Sequence, residues 1–420
     1  MAEMQHNWAD NITYTAANVY YPTTTPEVQD LVRRSSKVRA LGSRHSFNTI
    51  VDTPGDLISV ERFDPNVEID RTRHTVTVAA GIRYGRLCDQ LHRAGYALPN
   101  LASLPHISIA GACATATHGS GNRNGCLSTA VSALEIVTAD GSLIRPSRDK
   151  DGEEFLGAVV SLGGLGVITR MTLDLEPTFE VQQYAYENLP FAHMLRHFDD
   201  ITARAYSVSF FTDWRNNNVN QVWLKHRAGD PNILPEGADL YGATPATGNR
   251  HPIPGISAVN CTAQMGIAGP WYDRLPHFRM AFTPSSGEEL QSEFLIPRRH
   301  GVAALSAVNA LHESISPVLQ ASEIRMIAAD DLWMSPFYKQ DCVAIHFTWQ
   351  KNWPAVKAVM PHIEAALSRY EARPHWGKLF TMSGDQVKAR YEKLSDFRML
   401  LKTHDPNGKF RNAFLDTYIF

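Results

Sequence analysis

The chain has 420 residues, of which 44% are apolar and 20% are charged, a composition typical of globular proteins that fold in water. At about 150 residues per domain, this length predicts two or three domains. The net charge of −3 gives no reason to expect nucleic acid or an anionic membrane as a partner, and no stretch approaches the ~18 consecutive apolar residues of a transmembrane helix.

The chain begins with MAEMQHNWAD, which carries an early acid and no basic-then-apolar run, so it does not resemble a secretory signal. The five cysteines are scattered and include no C-x-x-C pair, so neither a zinc cluster nor a disulfide framework is expected. A reducing cytoplasm is therefore the expected compartment. The 17 histidines show no H-E-x-x-H spacing, and we predict no metal site.

The first 178 residues mix short strands and helices without the regular alternation of a doubly wound sheet, which predicts an α+β fold. Thr25-Pro26-Glu27 predicts a helix with Thr25 as its N-cap, running to about residue 36. The other elements predicted here are strands at 38–41, 57–60, 74–81 and 166–177, a hairpin at 133–147 with an Asp-Gly turn, and helices at 84–94 and 153–163.

After residue 178 the pattern changes to alternating strands separated by helices, which predicts an antiparallel sheet backed by helices. The strands are predicted at 206–214, 220–227, 292–297, 322–330 and 342–350, and the helices at 298–314, 354–370 and 384–402. Residues from about 229 to 285 are rich in Gly, Pro and Ala. We call this segment the excursion, and we expect it to be functional or a lid, because irregular segments of this length usually are.

Two stretches rich in small residues could bind an anion. RALGSRHSFN (39–48) follows a predicted strand, and LASLPHISIAGACATATHGSG (101–121) offers closely spaced Gly, Ala, Ser and Thr. Backbone N–H groups that point one way form an anion-binding concavity, so the two loops could hold one dinucleotide diphosphate. Tight turn packing is an equally good explanation of either loop alone. GGLGVI (163–168) precedes a strand, so it predicts a helix-to-strand turn and not a dinucleotide-binding Rossmann fingerprint.

Polar side chains alternate along two of the predicted strands. Glu323 and Arg325 share one face of the strand at 322–330, and His346 and Thr348 share one face of the strand at 342–350. These faces could line a pocket for a polyol. A solvated sheet face is the commoner fate of such alternation, and the residues alone leave both interpretations open.

In combination, GSRHSFN, LPHISIAGACATATHGSG, GGLGVIT and the closing DPNGKFRN resemble the vanillyl-alcohol-oxidase-type flavoproteins, and HNWADNITY fits their sugar and polyol branch. That branch includes the aldonolactone oxidases and the bacterial alditol oxidases. The resemblance covers essentially the whole chain. It implies a two-subdomain PCMH-type FAD-binding domain over residues 1–178, a cap domain with an antiparallel sheet flanked by helices over 179–383, and a C-terminal segment, 384–420, that returns to the FAD domain.

The resemblance implies FAD joined covalently to a ring nitrogen of His45, which by itself would be read as a hydrogen-bonded loop histidine. Such a tether prevents loss of the cofactor and raises its potential. His118, in ATATHGSG, has a metal and a catalytic interpretation, and we favour neither of them over a role in bracing the FAD loop. The remaining implied cofactor residues are Ala40, Leu41, Gly42, Ser43, Arg44, Ser46, Ser103, Ser108, Gly111, Thr115, Ala116, Thr117, Val167 and Ile168.

The implied activity is oxidation of the terminal hydroxyl of polyols such as xylitol and sorbitol to the aldose, with O2 reduced to H2O2, by a monomer. Ala102 falls where the family can control the approach of oxygen to the flavin. The implied catalytic residues are Glu323, Arg325, His346 and Lys378, and the implied substrate-binding residues are these four with Ser103 and Thr348.

Three other functions remain open on the sequence. An aldonolactone oxidase or dehydrogenase would share the fold and cofactor and differ in the residues of its pocket. A metal-dependent hydrolase would need ligand spacings that the histidines lack. A flavin-binding protein without catalysis would have no use for charged side chains on the faces of a pocket.

Overall fold

The computed structural model describes residues 6–235, 237–282 and 288–420. Two small sheets form the first part of the chain. One is a parallel sheet in the order β1–β3–β2, made of β1 (Asn18–Tyr20), β2 (Val38–Ala40) and β3 (Asp56–Ile58). The other is antiparallel in the order β4–β5–β9–β7–β8, made of β4 (Val67–Asp70), β5 (Thr75–Ala79), β7 (Val131–Val137), β8 (Leu143–Ile144) and β9 (Val167–Asp174).

The helices of this part pack beside the two sheets. They are α1 (Thr25–Arg34), α2 (Tyr84–Arg93), α3 (Ile109–Ala114) and α4 (Arg148–Val159), and a short β6 (Tyr96–Ala97) pairs with β10 (Glu176–Pro177). The N-cap of α1 is Thr24, whose side chain accepts from the backbone N–H of Glu27. The prediction of Thr25 as N-cap is therefore wrong by one residue, because either threonine of the T-T-T-P run could supply the hydroxyl.

The largest sheet among the described residues has nine strands with antiparallel pairing. Its order is β14–β11–β13–β12–β17–β18–β16–β19, and β15 also pairs with β11. The strands are β11 (Glu180–Pro190), β12 (Ser207–Thr212), β13 (Asn218–Arg227), β14 (Thr244–Pro245), β15 (Gly269–Pro270), β16 (Glu289–Pro297), β17 (Leu319–Ile327), β18 (Cys342–Gln350) and β19 (Arg373–Pro374). The helices between them are α5 (Phe191–Arg196), α6 (Phe198–Thr202), α7 (Gly301–Asn309), α8 (His312–Ile315) and α9 (Trp353–Leu367).

All five strands predicted for this half are present, so the predicted antiparallel sheet backed by helices is confirmed. The sequence analysis missed β11, because Gln182, Gln183 and Glu187 interrupt its apolar alternation. It also missed α5 and α6. The helix predicted at 298–314 is broken into a 3₁₀ turn, α7 and α8.

The chain ends with α10 (Gly384–Lys388), α11 (Leu394–His404) and α12 (Ala413–Tyr418). The single helix predicted at 384–402 is wrong, because the chain turns between α10 and α11, where buried Tyr391 packs on Trp376. Packing here overrides helix propensity. The closing DPNGKFRN turn is hydrogen-bonded to β2, with Val38 N donating to Lys409 O and the Arg39 guanidinium to Phe410 O, each at 3.0 Å.

The excursion contains short strands and 3₁₀ turns and otherwise lacks regular structure, and residues 236 and 283–285 of it lie outside the described residues. None of the helices in the described ranges combines the length and the apolar character needed to cross a bilayer. All five cysteines are buried thiols without a disulfide partner.

Candidate active site

A cavity of about 530 Å³ lies where the two predicted loops meet one face of the large sheet. Its walls include both loops, β17, β18 and the turn that carries Lys378. The predicted substrate-binding residues all line it, and so do the predicted cofactor residues except Ala116, which is fully buried. Ala102 lines the cavity too. One cavity therefore brings together two groups of residues that lie far apart in sequence.

The two loops are joined directly to each other. Ser108 N donates to Ser43 Oγ at 3.1 Å, and Ser43 N donates to Ser108 Oγ at 3.3 Å. A Cβ atom added at Gly42 would lie 2.8 Å from Ser108 Oγ and 3.7 Å from the Gly111 Cα. The close approach of the backbones thus depends on glycine on both sides, which explains the small residues in both stretches.

Gly42→Ala is expected to weaken cofactor retention and to destabilise the fold by about 1–3 kcal/mol, because the new methyl group displaces Ser108 and separates the loops. The ratio of flavin to protein after purification, together with a denaturation curve, measures both effects. Gly248→Ala is the matched control, since a Cβ there meets only the Arg250 side chain at 3.6 Å. Equal flavin content in the two variants would show that the loop contact does not support the cofactor site.

His45 lies at the mouth of the first loop with its ring stacked on Trp8, the ring centroids being 5.1 Å apart. Its Nδ1 contacts Ser43 O at 3.1 Å, and its Nε2 is buried without a hydrogen bond to the described residues. Burial lowers the pKa of the imidazole to about 4. The ring is therefore neutral at pH 7 and keeps a lone pair on one nitrogen.

The sheet register builds the opposite wall. Glu323 pairs with His346, which in turn pairs with Glu293 on β16, and Arg325 lies two residues along β17 on the same face. Glu323, Arg325 and His346 are each at most 8% exposed. The interpretation as a solvated sheet face is therefore wrong, because the loops of the first part of the chain and the excursion cover this face.

Glu293 is the centre of the charge network. Its Oε1 is 2.9 Å from Arg325 Nη2 and 3.3 Å from His118 Nε2, and its Oε2 is 2.7 Å from Lys378 Nζ. Burial alone would raise the pKa of this carboxyl, but Lys378, His118 and Arg325 outweigh it and hold the pKa well below its ordinary value. Glu293 thus stays ionised and fixes two cations in the cavity wall.

Arg325 contacts both the turn that carries Ser103 and the neighbouring Glu323. Arg325 Nη1 lies 3.3 Å from Ser103 Oγ, and Arg325 Nε lies 3.5 Å from Glu323 Oε2. Burial opposes ionisation of Glu323, yet Arg325, His277 and His346 together lower its pKa below the ordinary carboxyl range. His346 Nε2 is buried without a hydrogen bond to the described residues, and burial followed by the charge of Lys378 keeps its pKa well below 6.5.

Three charged or polar residues were not predicted: Glu293 and His277, which line the cavity, and Lys225, which lies behind His277. Glu293 and Lys225 each interrupt an apolar strand, in S-E-F-L-I-P and V-W-L-K-H-R, and a lone charge in such a run is the signal that could have found them. His277 lies in the irregular excursion, where no periodicity marks it. His118, predicted to brace the FAD loop, contacts Gly119 O of that loop through Nδ1 at 2.9 Å and Glu293 through Nε2.

The excursion contributes part of the cavity lining. His251, Pro252, Ile253 and Phe278 line the cavity. His277 N donates to Ser103 O at 3.0 Å, so the excursion is tied to the turn that carries Ser103. In the part of the chain that the structure describes, no group of His, Cys, Asp and Glu side chains is arranged to hold a metal ion.

Two protein-family models match the chain. The model of an FAD-binding domain matches residues 16–147, and the model described as D-arabinono-1,4-lactone oxidase matches residues 285–418. The chain is 49% identical to the alditol oxidase of a Streptomyces species over 412 residues, which is 97% of each protein. It is 28% identical to the L-gulono-1,4-lactone dehydrogenase of Mycobacterium tuberculosis, over 99% of this chain and 98% of that protein.

A solved structure shares the fold. The cholesterol oxidase from B. sterolicum superposes with a TM-score of 0.80, covering 99% of this chain and 96% of that one, at 15% sequence identity. At that identity the likeness concerns the fold alone. With the observed sheets and helices, it confirms the predicted α+β class.

Proposed function

The chain belongs to the alditol oxidase family, among the vanillyl-alcohol-oxidase-type FAD-dependent oxidoreductases that act on CH–OH groups, and on that premise we propose that it oxidises a terminal hydroxyl of xylitol, sorbitol and similar polyols to the aldose, with O2 reduced to H2O2. The observation that carries the proposal is the continuous cavity. Its cofactor loops face a buried wall that carries two cations, Arg325 and Lys378, and two carboxylates, Glu293 and Glu323.

The residues present fit FAD. The glycine contact at Gly42 and Gly111 lets the backbones of the two loops approach each other beside the cavity, and His45 presents a buried nitrogen without a hydrogen bond to the described residues. We assign the diphosphate to residues 40–44 and 46 and the flavin to the region beside Ser103 and His45. When bound, FAD supplies the acceptor for the hydride of the alcohol carbon and passes the electrons to O2.

The buried cations lower the cost of the alkoxide that develops at the substrate oxygen. Arg325 and Lys378 act in a site from which water is excluded, where fixed charges have large effects. Glu323 binds a substrate hydroxyl and balances the positive charge. His346, neutral at pH 7, and Thr348 bind further hydroxyls and so set the chain length and stereochemistry of the substrate.

Oxidation of an aldonolactone is the second candidate, because the model of a lactone oxidase family matches residues 285–418. Oxygen uptake by the purified protein with xylitol, sorbitol and L-gulono-1,4-lactone discriminates the two. The proposal expects uptake with the polyols, with one H2O2 and one aldose formed per O2. Uptake with the lactone alone would replace the proposal with the second candidate.

His45→Ala is expected to abolish covalent flavin. The neutral imidazole retains a nucleophilic lone pair in a water-poor position, as attachment to the flavin requires. Wild-type protein run on a denaturing gel should therefore fluoresce at the position of the chain, and the variant should not. His362→Ala, which changes an exposed histidine on α9, is the control. A fluorescent His45→Ala band would show that another residue holds the flavin.

The proposal also covers the domain organisation, the oligomeric state, the compartment and the partners of the protein. We assign residues 1–178 to the FAD-binding domain, 179–383 to the cap and 384–420 to a segment of the FAD-binding domain, and the hydrogen bonds from the closing turn to β2 support the last assignment. A monomer in a reducing cytoplasm is consistent with five unpaired buried thiols. The net charge of −3 supports neither nucleic acid nor an anionic membrane as a partner.

A further inference from the structure

A row of three buried side chains leads from the cavity into the large sheet. Glu323 Oε1 lies 2.7 Å from His277 Nε2, and His277 Nδ1 lies 3.3 Å from Lys225 Nζ. Glu323 and His277 line the cavity, whereas Lys225, on β13, does not line it and is only 1% exposed. The row therefore connects the place where substrate binds to an amine that substrate cannot touch.

The surroundings of Lys225 satisfy both of its protonation states. Its Nζ has three acceptors within reach, the carbonyl oxygens of Leu275 and Pro276 and the His277 Nδ1. An ammonium would donate one proton to each of the three. A neutral amine would donate to the two carbonyls and accept from His277 Nδ1–H with its lone pair. The two states of Lys225 thus correspond to the two tautomers of a neutral His277.

The protonation of Lys225 is set by its burial and by the charges around it. Burial is the largest effect and lowers the pKa of Lys225 to about 7, Glu323 and Cys261 act to raise it, and Arg325 and Arg274 act to lower it further. His277 faces the same amine. Burial also lowers the pKa of His277 to about 4, so its ring is neutral throughout.

Building on the proposed function, we propose that Glu323, His277 and Lys225 form a proton relay that takes the hydroxyl proton of the substrate out of the cavity and stores it on Lys225. The substrate O–H bond breaks and its proton passes to Glu323. Glu323 passes a proton to His277 Nε2 as the His277 Nδ1 proton moves to Lys225 Nζ. Glu323 ends as a carboxylate, His277 as the other tautomer and Lys225 as an ammonium.

With one proton stored on Lys225, the electrons and protons of the whole reaction balance. The alcohol loses a hydride from carbon and a proton from oxygen as its C=O bond forms, and reduction of O2 to H2O2 consumes two electrons and two protons. The relay returns its proton in that second half of the reaction, so none is released to solvent. Glu323 transfers the proton and does not store it, because the charge of Arg325 holds the pKa of the Glu323 carboxyl too low for it to stay protonated.

Lys225 and His277 are relay residues that act through Glu323, so the pH profile of substrate oxidation reports on them. The relay needs Lys225 as the free amine at the start. In wild-type protein, the rate of anaerobic flavin reduction by saturating xylitol should therefore rise with pH through about 7 and then level. Lys225→Met should slow it by about 10²-fold and remove the inflection.

Two further variants complete the comparison. His277→Gln can still donate to Glu323 but cannot pass a proton, so it should match Lys225→Met in rate and in its flat profile. Lys150→Met, at an exposed position on α4, should keep the wild-type profile. Wild-type rates in Lys225→Met and His277→Gln would overturn the relay, and so would slow rates that keep the wild-type inflection, because another group would then titrate.

A readout without substrate separates failure of the relay from failure of the proposed function. With ¹⁵N-labelled histidine, the signals missing from His277→Gln identify the His277 ring in the wild-type spectrum. The relay predicts that its N–H moves from Nδ1 to Nε2 as the pH falls from about 8 to about 6. One tautomer throughout that range overturns the relay. A tautomer change in a protein that polyols fail to reduce would contradict the proposed function alone.

Discussion

Lys378→Met is expected to lower kcat for a polyol by about 10²–10³-fold while the purified protein keeps its flavin. The side chain is among the cavity-lining residues, and its Nζ lies 2.7 Å from Glu293 Oε2, so its position is fixed before substrate binds. Removing one fixed cation raises the cost of the developing alkoxide. Methionine retains most of the volume, so the pocket keeps its shape.

Steady-state oxygen uptake with xylitol and the flavin absorbance per protein measure the two halves of this expectation. Lys402→Met, at an exposed position on α11, is the control for the loss of a lysine and should behave as wild type. Turnover within a few-fold of wild type in Lys378→Met would remove this lysine from the chemistry. Loss of the flavin together with turnover would assign it to the cofactor site.

Glu293→Gln is expected to destabilise the fold by about 3–5 kcal/mol, because it leaves the buried charges of Arg325 and Lys378 without their shared counter-ion. Turnover should fall as well, since both cations lose their fixed positions. The denaturant midpoint of the holoprotein measures the loss of stability. Glu313→Gln, at an exposed position on α8, supplies the matched control.

The loss of stability in Glu293→Gln should depend on pH, in a direction that the pKa of Glu293 determines. The pKa of Glu293 is lower in the folded protein than its ordinary value, so its contribution to stability is present above the ordinary carboxyl range and disappears as the pH falls through the folded-state pKa. The difference between wild type and Glu293→Gln should therefore be full at pH 7 and shrink in acid. A variant as stable as wild type at pH 7 would show that the ion pairs merely offset the cost of burying them.

The elements predicted from sequence were those whose patterns are local. Strand β17 alternates polar and apolar residues, so both its existence and the shared face of Glu323 and Arg325 could be predicted. Strand β11 could not, because Gln183 is buried by the pairing of β11 with β13, which lies far along the sequence. The break between α10 and α11 likewise depends on Tyr391 meeting Trp376, which no local pattern contains.

The residues of the candidate site also divide into those that a local sequence pattern predicts and those that only the fold brings into place. The loop of His45 could be predicted, because its small residues and the motif that carries the family resemblance are contiguous in the sequence. Glu293 could not, because its role depends on the register that places β16 beside β18 and so brings it to Arg325 and Lys378. The position of His277 depends on the irregular path of the excursion, which is held by backbone hydrogen bonds between His277 and both Ser103 and Thr262.

Whether one cavity holds a flavin beside a polyol site is tested most directly by the visible spectrum of the purified protein without oxygen, before and after addition of xylitol. We expect a flavin band that bleaches on addition of xylitol and returns with air. A flavin band that neither xylitol nor sorbitol changes would contradict the polyol site, and a protein without a flavin band, expressed with ample riboflavin, would contradict the cofactor assignment as well.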